Sequence, residues 1–336
     1  EGDDRITVIP FGRLDSLDTE RTHLDLRELN WLHVGKSWEL RLGVDKVFWG
    51  VTESVHLVDI INQTDLVENP DGEDKLGQPM VNLTLVLPWR TGTLDLFVLP
   101  YFRERTFPGE EGRLRPPLPI DTDRAEYESG AEEYHTDWAV RWSHTLGDFD
   151  IGVSHFWGTS REPRLVPRQL SPVETVLVPF YDLIDQTGLD LQWTKGGWLW
   201  KLEIISRDGK GDRFTALAGG FEYTFVGVFN TAADLGLLAE YLYDDRGDKA
   251  TTPYEDDVFI GTRLTFNDAQ STELLGGVII DTDSDATLWF FEGSRRLGES
   301  WTLDLEARLF NGITSEDPLF GFQKDDFLHL TLSRHF

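Results

Sequence analysis

The groupings in this sequence that could do chemistry are mostly limited by their spacing. Histidine occurs at positions 23, 33, 56, 135, 144, 155, 329 and 335. None belongs to an HExxH motif or an i, i+4 pair, so nothing sets two imidazoles on one side of a zinc ion. Ser143 with His144, and Ser154 with His155, could supply a nucleophile and a base. Adjacent residues of one strand point to opposite faces, so only a cross-strand pair could act together. Asp281, Asp283 and Asp285 in DTDSD, and NPDGED around Asp71, resemble fragments of a calcium loop. Neither has the twelve-residue pattern with its closing Glu. The expectation is no cofactor, with weak calcium at acidic loops as the alternative. Cysteine is absent, which excludes disulfides and thiolate sites. The 60 acidic residues against 31 Lys and Arg give a net charge of -29, and phosphate backbones need the opposite sign, so no nucleic acid is expected as a partner.

What remains is full charge at alternate positions. Arg27, Arg41, Asp45, Asp95, Arg103, Arg141, Glu306 and Arg308 each fall on the polar phase of an alternating segment. Trp301, Leu303, Leu305, Ala307 and Leu309, for example, interleave with Thr302, Asp304, Glu306 and Arg308. Period two puts one apolar and one polar face on a β-strand. Nothing reads as a three-turn amphipathic helix. No apolar run approaches the ~18 residues of a membrane-spanning helix.

Alternation and turn signals predict about sixteen strands (14–18 at the limits): 5–14, 22–34, 37–49, 80–88, 93–105, 136–145, 149–158, 187–195, 198–207, 213–225, 230–243, 256–266, 271–281, 285–296, 300–311 and 325–336. Even-numbered strands run into tight turns. Odd-numbered strands run into connections that include every long loop, above all 51–78, 106–135 and 159–186. This is the pattern of an all-β chain, a transmembrane antiparallel β-barrel with short periplasmic turns and long extracellular loops. A single domain over 1–336 is expected. A soluble barrel hides its apolar face, whereas here the charged face would line a lumen. Trp38, Trp89, Trp138, Trp157, Trp198, Tyr243 and Trp301 recur at strand ends, as an interfacial girdle requires. A propeller would repeat near forty residues, and no such repeat exists.

The chain closes with FLHLTLSRHF, where Leu328, Leu330, Leu332 and Phe336 occupy alternate positions. This resembles the C-terminal strand of bacterial outer-membrane β-barrel proteins, and the whole chain resembles a porin of about sixteen strands. The resemblance implies the Gram-negative outer membrane, a signal peptide already removed and recognition of the last strand by the barrel-assembly machinery. It also implies contact with outer-membrane lipids and lipopolysaccharide, an apolar wall that permits a homotrimer, and a transport role rather than an enzyme. The stretch KVFWGVTES with VDIINQTDLVENPDGEDKLGQP is similar to uncharacterised porin-like families and assigns no substrate.

A sixteen-stranded barrel is wide enough for an aqueous channel. The expected activity is passive diffusion of small hydrophilic solutes or ions, with selectivity set by the charges at the narrowest point. Two loops are candidates for folding inward. The segment 106–135 carries Arg113, Arg115, Asp121 and Asp123 and holds the place of the inward-folded loop of general porins. The segment 51–78 contains VHLVDII, too apolar for a solvent-facing loop. A channel specific for a sugar or organic acid is the alternative, with an outer-membrane barrel hydrolase behind it.

Overall fold

The computed structural model describes residues 2–69, 72–209, 211–315 and 317–336. Among the described residues there are nineteen strands: β1 (Asp3–Arg13), β2 (His23–Val34), β3 (Trp38–Asp45), β4 (Gln78–Val86), β5 (Thr93–Leu99), β6 (Glu126–Tyr127), β7 (Asp137–Leu146), β8 (Phe149–Thr159), β9 (Arg164–Ser171), β10 (Glu174–Tyr181), β11 (Leu183–Lys195), β12 (Trp198–Asp208), β13 (Phe214–Phe225), β14 (Asp234–Asp244), β15 (Asp256–Thr265), β16 (Glu273–Asp281), β17 (Thr287–Leu297), β18 (Trp301–Asn311) and β19 (Phe327–Arg334). Sixteen of them form one sheet in which each strand lies beside the next strand of that sheet along the chain, β5 beside β7 and β8 beside β11. All sixteen predicted strands are there. The fold is all-β, and no described helix is long and apolar enough to cross a membrane, which says nothing of strands.

Two predicted strands end well before the expected residue. β5 stops at Leu99 because Pro100 has no N–H to extend the ladder. β3 stops at Asp45 because the next backbone donors turn elsewhere: Val47 N–H donates to Asn62 Oδ1 (2.8 Å) and Trp49 N–H to Asp59 Oδ1 (3.3 Å). One feature was not predicted. β9 and β10 form a hairpin inside the connection 159–186, and β6 pairs parallel to β10, giving a separate three-stranded sheet.

The side-chain phase follows the alternation. Along β12, Lys201, Glu203, Ile205 and Arg207 are buried, while Trp198 and Trp200 are exposed. Along β14, Leu238, Glu240 and Leu242 are buried, while Leu237, Tyr241 and Tyr243 face out. Leu328, Leu330 and Leu332 of β19 are each more than half exposed. An apolar face turned to the surroundings and charges turned inward is the inverse of a soluble core.

The chain packs as two compact units, Glu1–Gly50 with Leu57–Asp190 and Ile204–Thr215, and Val51–His56 with Leu191–Glu203 and Ala216–Phe336. In the first, Val58, Ile61, Leu99, Phe102, Phe156 and Tyr181 are almost fully buried. In the second, the inward phase is less polar than expected. Phe259 stacks on Phe290 (5.4 Å between centroids), with Leu242, Leu275 and Ile279 also buried on that phase. Gly277 makes this packing possible, since a Cβ there would stand 2.4 Å from the Phe259 ring and 2.7 Å from that of Phe290.

Candidate functional site

Within each unit, part of the connection between β3 and β4 packs on the polar face. In the first unit, residues 57–65 of this connection are nearly all shielded from solvent. Its polar groups are met one by one, as buried polar groups must be. Asn62 donates to the backbone carbonyls of Asp45 (2.9 Å) and Leu76 (2.8 Å). The carbonyl of Ile61 accepts from Arg161 Nε (3.2 Å) and Nη2 (3.0 Å). The carbonyl of Leu57 accepts from Gln186 (3.3 Å), which itself accepts from Arg207 (2.7 Å). Asp65, fully buried, pairs with Arg27 (2.6 Å) and accepts from Thr106 (2.6 Å). Lys75 closes the segment by pairing with Asp59 (3.2 Å).

In the second unit, residues 51–56 are held by four charged wall residues. Glu203, with no exposed surface, accepts from Val51 N–H (2.7 Å), Thr52 N–H (3.1 Å) and Thr52 Oγ1 (2.7 Å). Glu240 accepts from Glu53 N–H (2.8 Å), Ser54 N–H (2.9 Å) and Ser54 Oγ (2.6 Å). The Glu53 carboxylate is paired in return with Lys201 (3.3 Å) and Arg263 (2.7 Å). Two wall carboxylates therefore hold backbone donors while two wall cations hold a loop carboxylate.

The residues singled out in the sequence are distributed as follows. Arg27 lies under Asp65 and also pairs with Asp25 (2.9 Å). Arg103 donates to Asp25 (2.9 Å) and to the carbonyl of Gly77 (3.0 Å). Arg41 pairs with Asp45 (2.8 Å) on its own strand. Arg141 grips both oxygens of Asp190 (2.7 and 2.8 Å) and stands over the Trp49 ring. Asp95 accepts from Thr84. Arg308 pairs with Glu292 (2.8 Å) and Glu306 (3.3 Å). In the segment 106–135, Arg113 and Asp123 are exposed, Arg115 donates to the carbonyl of Pro116 (3.2 Å) and Asp121 pairs with Arg124 (2.8 Å). Lys201, Glu203, Glu240 and Arg263 were not singled out in the sequence. Nor were Thr52, Glu53 or Ser54. The one usable signal was the apolar VHLVDII beside them.

Charge is unevenly satisfied in the first unit. Burial raises Glu68 above the ordinary carboxylate range, with Asp65 adding to the rise against the pull of Arg13 and Arg27. Asp74 is raised by burial and by the Asp65 charge, and Glu104 chiefly by burial. His23, Asp65 and Glu68 bring potential ligand atoms within 4.8 Å of one another. Arg13 and Arg27 already pair with those carboxylates, so the positive charge a metal would bring is in place. Of the DTDSD turn, Asp283 and Asp285 are exposed. Asp71 lies outside the described residues.

A wall of antiparallel strands with an apolar outer band and a charged inner face, joined by short turns on one side and long loops on the other, defines an outer-membrane β-barrel with a porin-like fold. An outer face this apolar is suited to lipid. No protein-family model matches the chain, and no curated protein matches it. Among solved structures, the chain is similar to Wzi of Escherichia coli, an outer-membrane protein involved in group 1 capsule assembly and described as a carbohydrate-binding β-barrel. The TM-score is 0.58 at 9% identity, covering 98% of this chain and 74% of Wzi. It also matches OccK8 (OprE) of Pseudomonas aeruginosa (TM-score 0.44, 12% identity, 87% and 77% covered). A third match is a porin refined at 1.8 Å (TM-score 0.43, 13% identity, 100% and 98% covered). The Wzi likeness carries the fold.

Proposed function

We propose that this protein is an outer-membrane channel for passive diffusion of small hydrophilic solutes or ions, not an enzyme, and that the chain works as one barrel domain. The observation that carries this reading is that, within each unit, residues of the connection after β3 are held by charged wall side chains, Arg27 in the first and Glu203 and Glu240 in the second. Such an inward loop narrows a passage, and the few charges beside it then set selectivity. It is the connection after β3 that takes this place; of the charges in 106–135, Asp121 pairs with Arg124 and Glu126 with Arg168. Liposome swelling tests the reading. Uptake that declines smoothly with solute size means a general pore, and exclusion of all solutes would overturn it.

A second reading is a channel or binding protein specific for a carbohydrate. The description of Wzi as carbohydrate-binding favours it, and one sugar entering far faster than its size predicts would establish it. The proposed partners are outer-membrane lipids and lipopolysaccharide around the apolar wall, and the barrel-assembly machinery at Leu328, Leu330, Leu332 and Phe336. A homotrimer through the outer wall belongs to the same proposal. Native gel migration before and after heating distinguishes it from a monomer.

A further inference from the structure

The second unit carries a concentration of acids at the long-loop end of β15 and β16, and among the described residues none of Glu255, Asp257, Asp281 and Asp317 forms an ion pair. Asp257 stands directly opposite Asp281 in the antiparallel register. Both occupy the inward phase, in step with the buried Phe259 and Ile279. Like charges opposite one another in a ladder repel. Asp257 is 3% exposed, and its Oδ2 is shielded from solvent and accepts no hydrogen bond. Among the described residues it has no ion-pair partner, and the charges acting on it are Asp281, Glu255 and Asp256. Glu255 and Asp317, in the adjoining connections, are both held above the ordinary carboxylate range. Burial is the main cause in each, with Asp281 contributing to both and Asp317 and Asp248 to Glu255. The charges that act most strongly on Asp257, Glu255 and Asp317 are all carboxylates.

A buried carboxylate with an open oxygen is tolerated when it is protonated or when it coordinates a cation. We propose that Asp257 and Asp281, with Glu255 and Asp317 beside them, form a binding site for a hard divalent cation of the calcium class. Oxygen donors of high negative charge suit such an ion, and six to eight of them at about 2.3–2.6 Å can come from carboxylates, backbone carbonyls and water. One carboxylate is already fixed. Asp281 accepts from Asp283 N–H (2.8 Å), Ser284 N–H (3.1 Å) and Ser284 Oγ, which anchors it at the turn. The site differs from the one suggested by the DTDSD spacing, whose Asp283 and Asp285 face solvent. It uses instead an acid 24 positions away that only strand pairing brings near.

The experiment uses the full chain folded in detergent, with calcium chloride as the probe and EDTA as the reference. Isothermal titration and thermal unfolding are measured for the wild type, Asp257→Asn and Asp281→Asn. The expected result is calcium binding with a rise in Tm for the wild type, and at least tenfold weaker binding in both variants. In EDTA, Asp257→Asn should melt above the wild type, because the substitution removes the repulsion that calcium relieves. Two results would overturn the proposal: no calcium response in the wild type, which makes Asp257 a protonated acid, or equal binding in wild type and variants, which places the ion elsewhere. The readouts are independent of transport, so a failure here leaves the channel reading to its own test.

Discussion

Replacing Glu240 with Gln tests how firmly the inner wall holds the loop tip. In the native protein, Oε1 accepts from Glu53 N–H, while Oε2 accepts from Ser54 N–H and Ser54 Oγ. A glutamine keeps the shape but turns one acceptor into a donor. If its oxygen takes the Ser54 position, its NH2 faces Glu53 N–H; if reversed, it faces the two Ser54 donors. Either orientation loses one or two of the three bonds and the charge that strengthens the rest. Hydrogen bonds to a charged group contribute about 1.5–3 kcal/mol each. The loss is therefore about 3 kcal/mol, and at about 1.4 kcal/mol per factor of ten the local opening constant of 51–56 rises roughly 150-fold. Hydrogen exchange read by mass spectrometry on peptides spanning 51–56 measures this opening directly. Peptides from β16 and β17, away from the substitution, should be unchanged. Exchange of 51–56 as slow as in the native protein would refute the assignment of Glu240 as a holder of the loop.

Other outcomes are expected. Arg161→Met removes the partner of two carbonyls and of the buried Asp137 (2.6 Å), and should cost about 3–5 kcal/mol, seen as a lower urea midpoint and faster exchange of 57–64. Glu68, Asp74 and Glu104 have raised folded pKa values, so they favour the packed loop most below the ordinary carboxylate pKa of about 4, and that contribution is lost as pH rises through the raised values. Exchange of 65–76, corrected for the chemical rate at each pH, should show more protection at pH 5 than at pH 8. Leu237→Arg puts a charge on the lipid-facing phase of β14, costs about 2–4 kcal/mol at the bilayer midplane, and should cut folding yield into liposomes.

The strands were legible because each carries its own period-two signal, which needs no partner to be read. Trp301 to Leu309 announces β18 whatever lies beside it. The β9–β10 hairpin was not legible, because Pro167 and Pro179 lie in the run and proline inside a run argues against a strand. The structure accommodates Pro167 on the edge strand β9, where Leu177 is its partner. The site was less legible still. Thr52 and Glu203, or Ser54 and Glu240, are brought together by folding across 151 and 186 positions, and no spacing rule spans that distance. Alternation puts a charge on the polar face at many positions, and nothing in it marks Glu203 or Glu240 among them. The loop chose among them, and its only trace in the sequence was an apolar VHLVDII where a polar connection was expected.

Single-channel recording in planar bilayers tests the central claim most directly. The native protein should give discrete conductance steps, and a variant with both Glu203 and Glu240 replaced by Gln, its loop tip no longer held, should give larger ones. A folded, inserted protein that is silent in both forms would contradict the account.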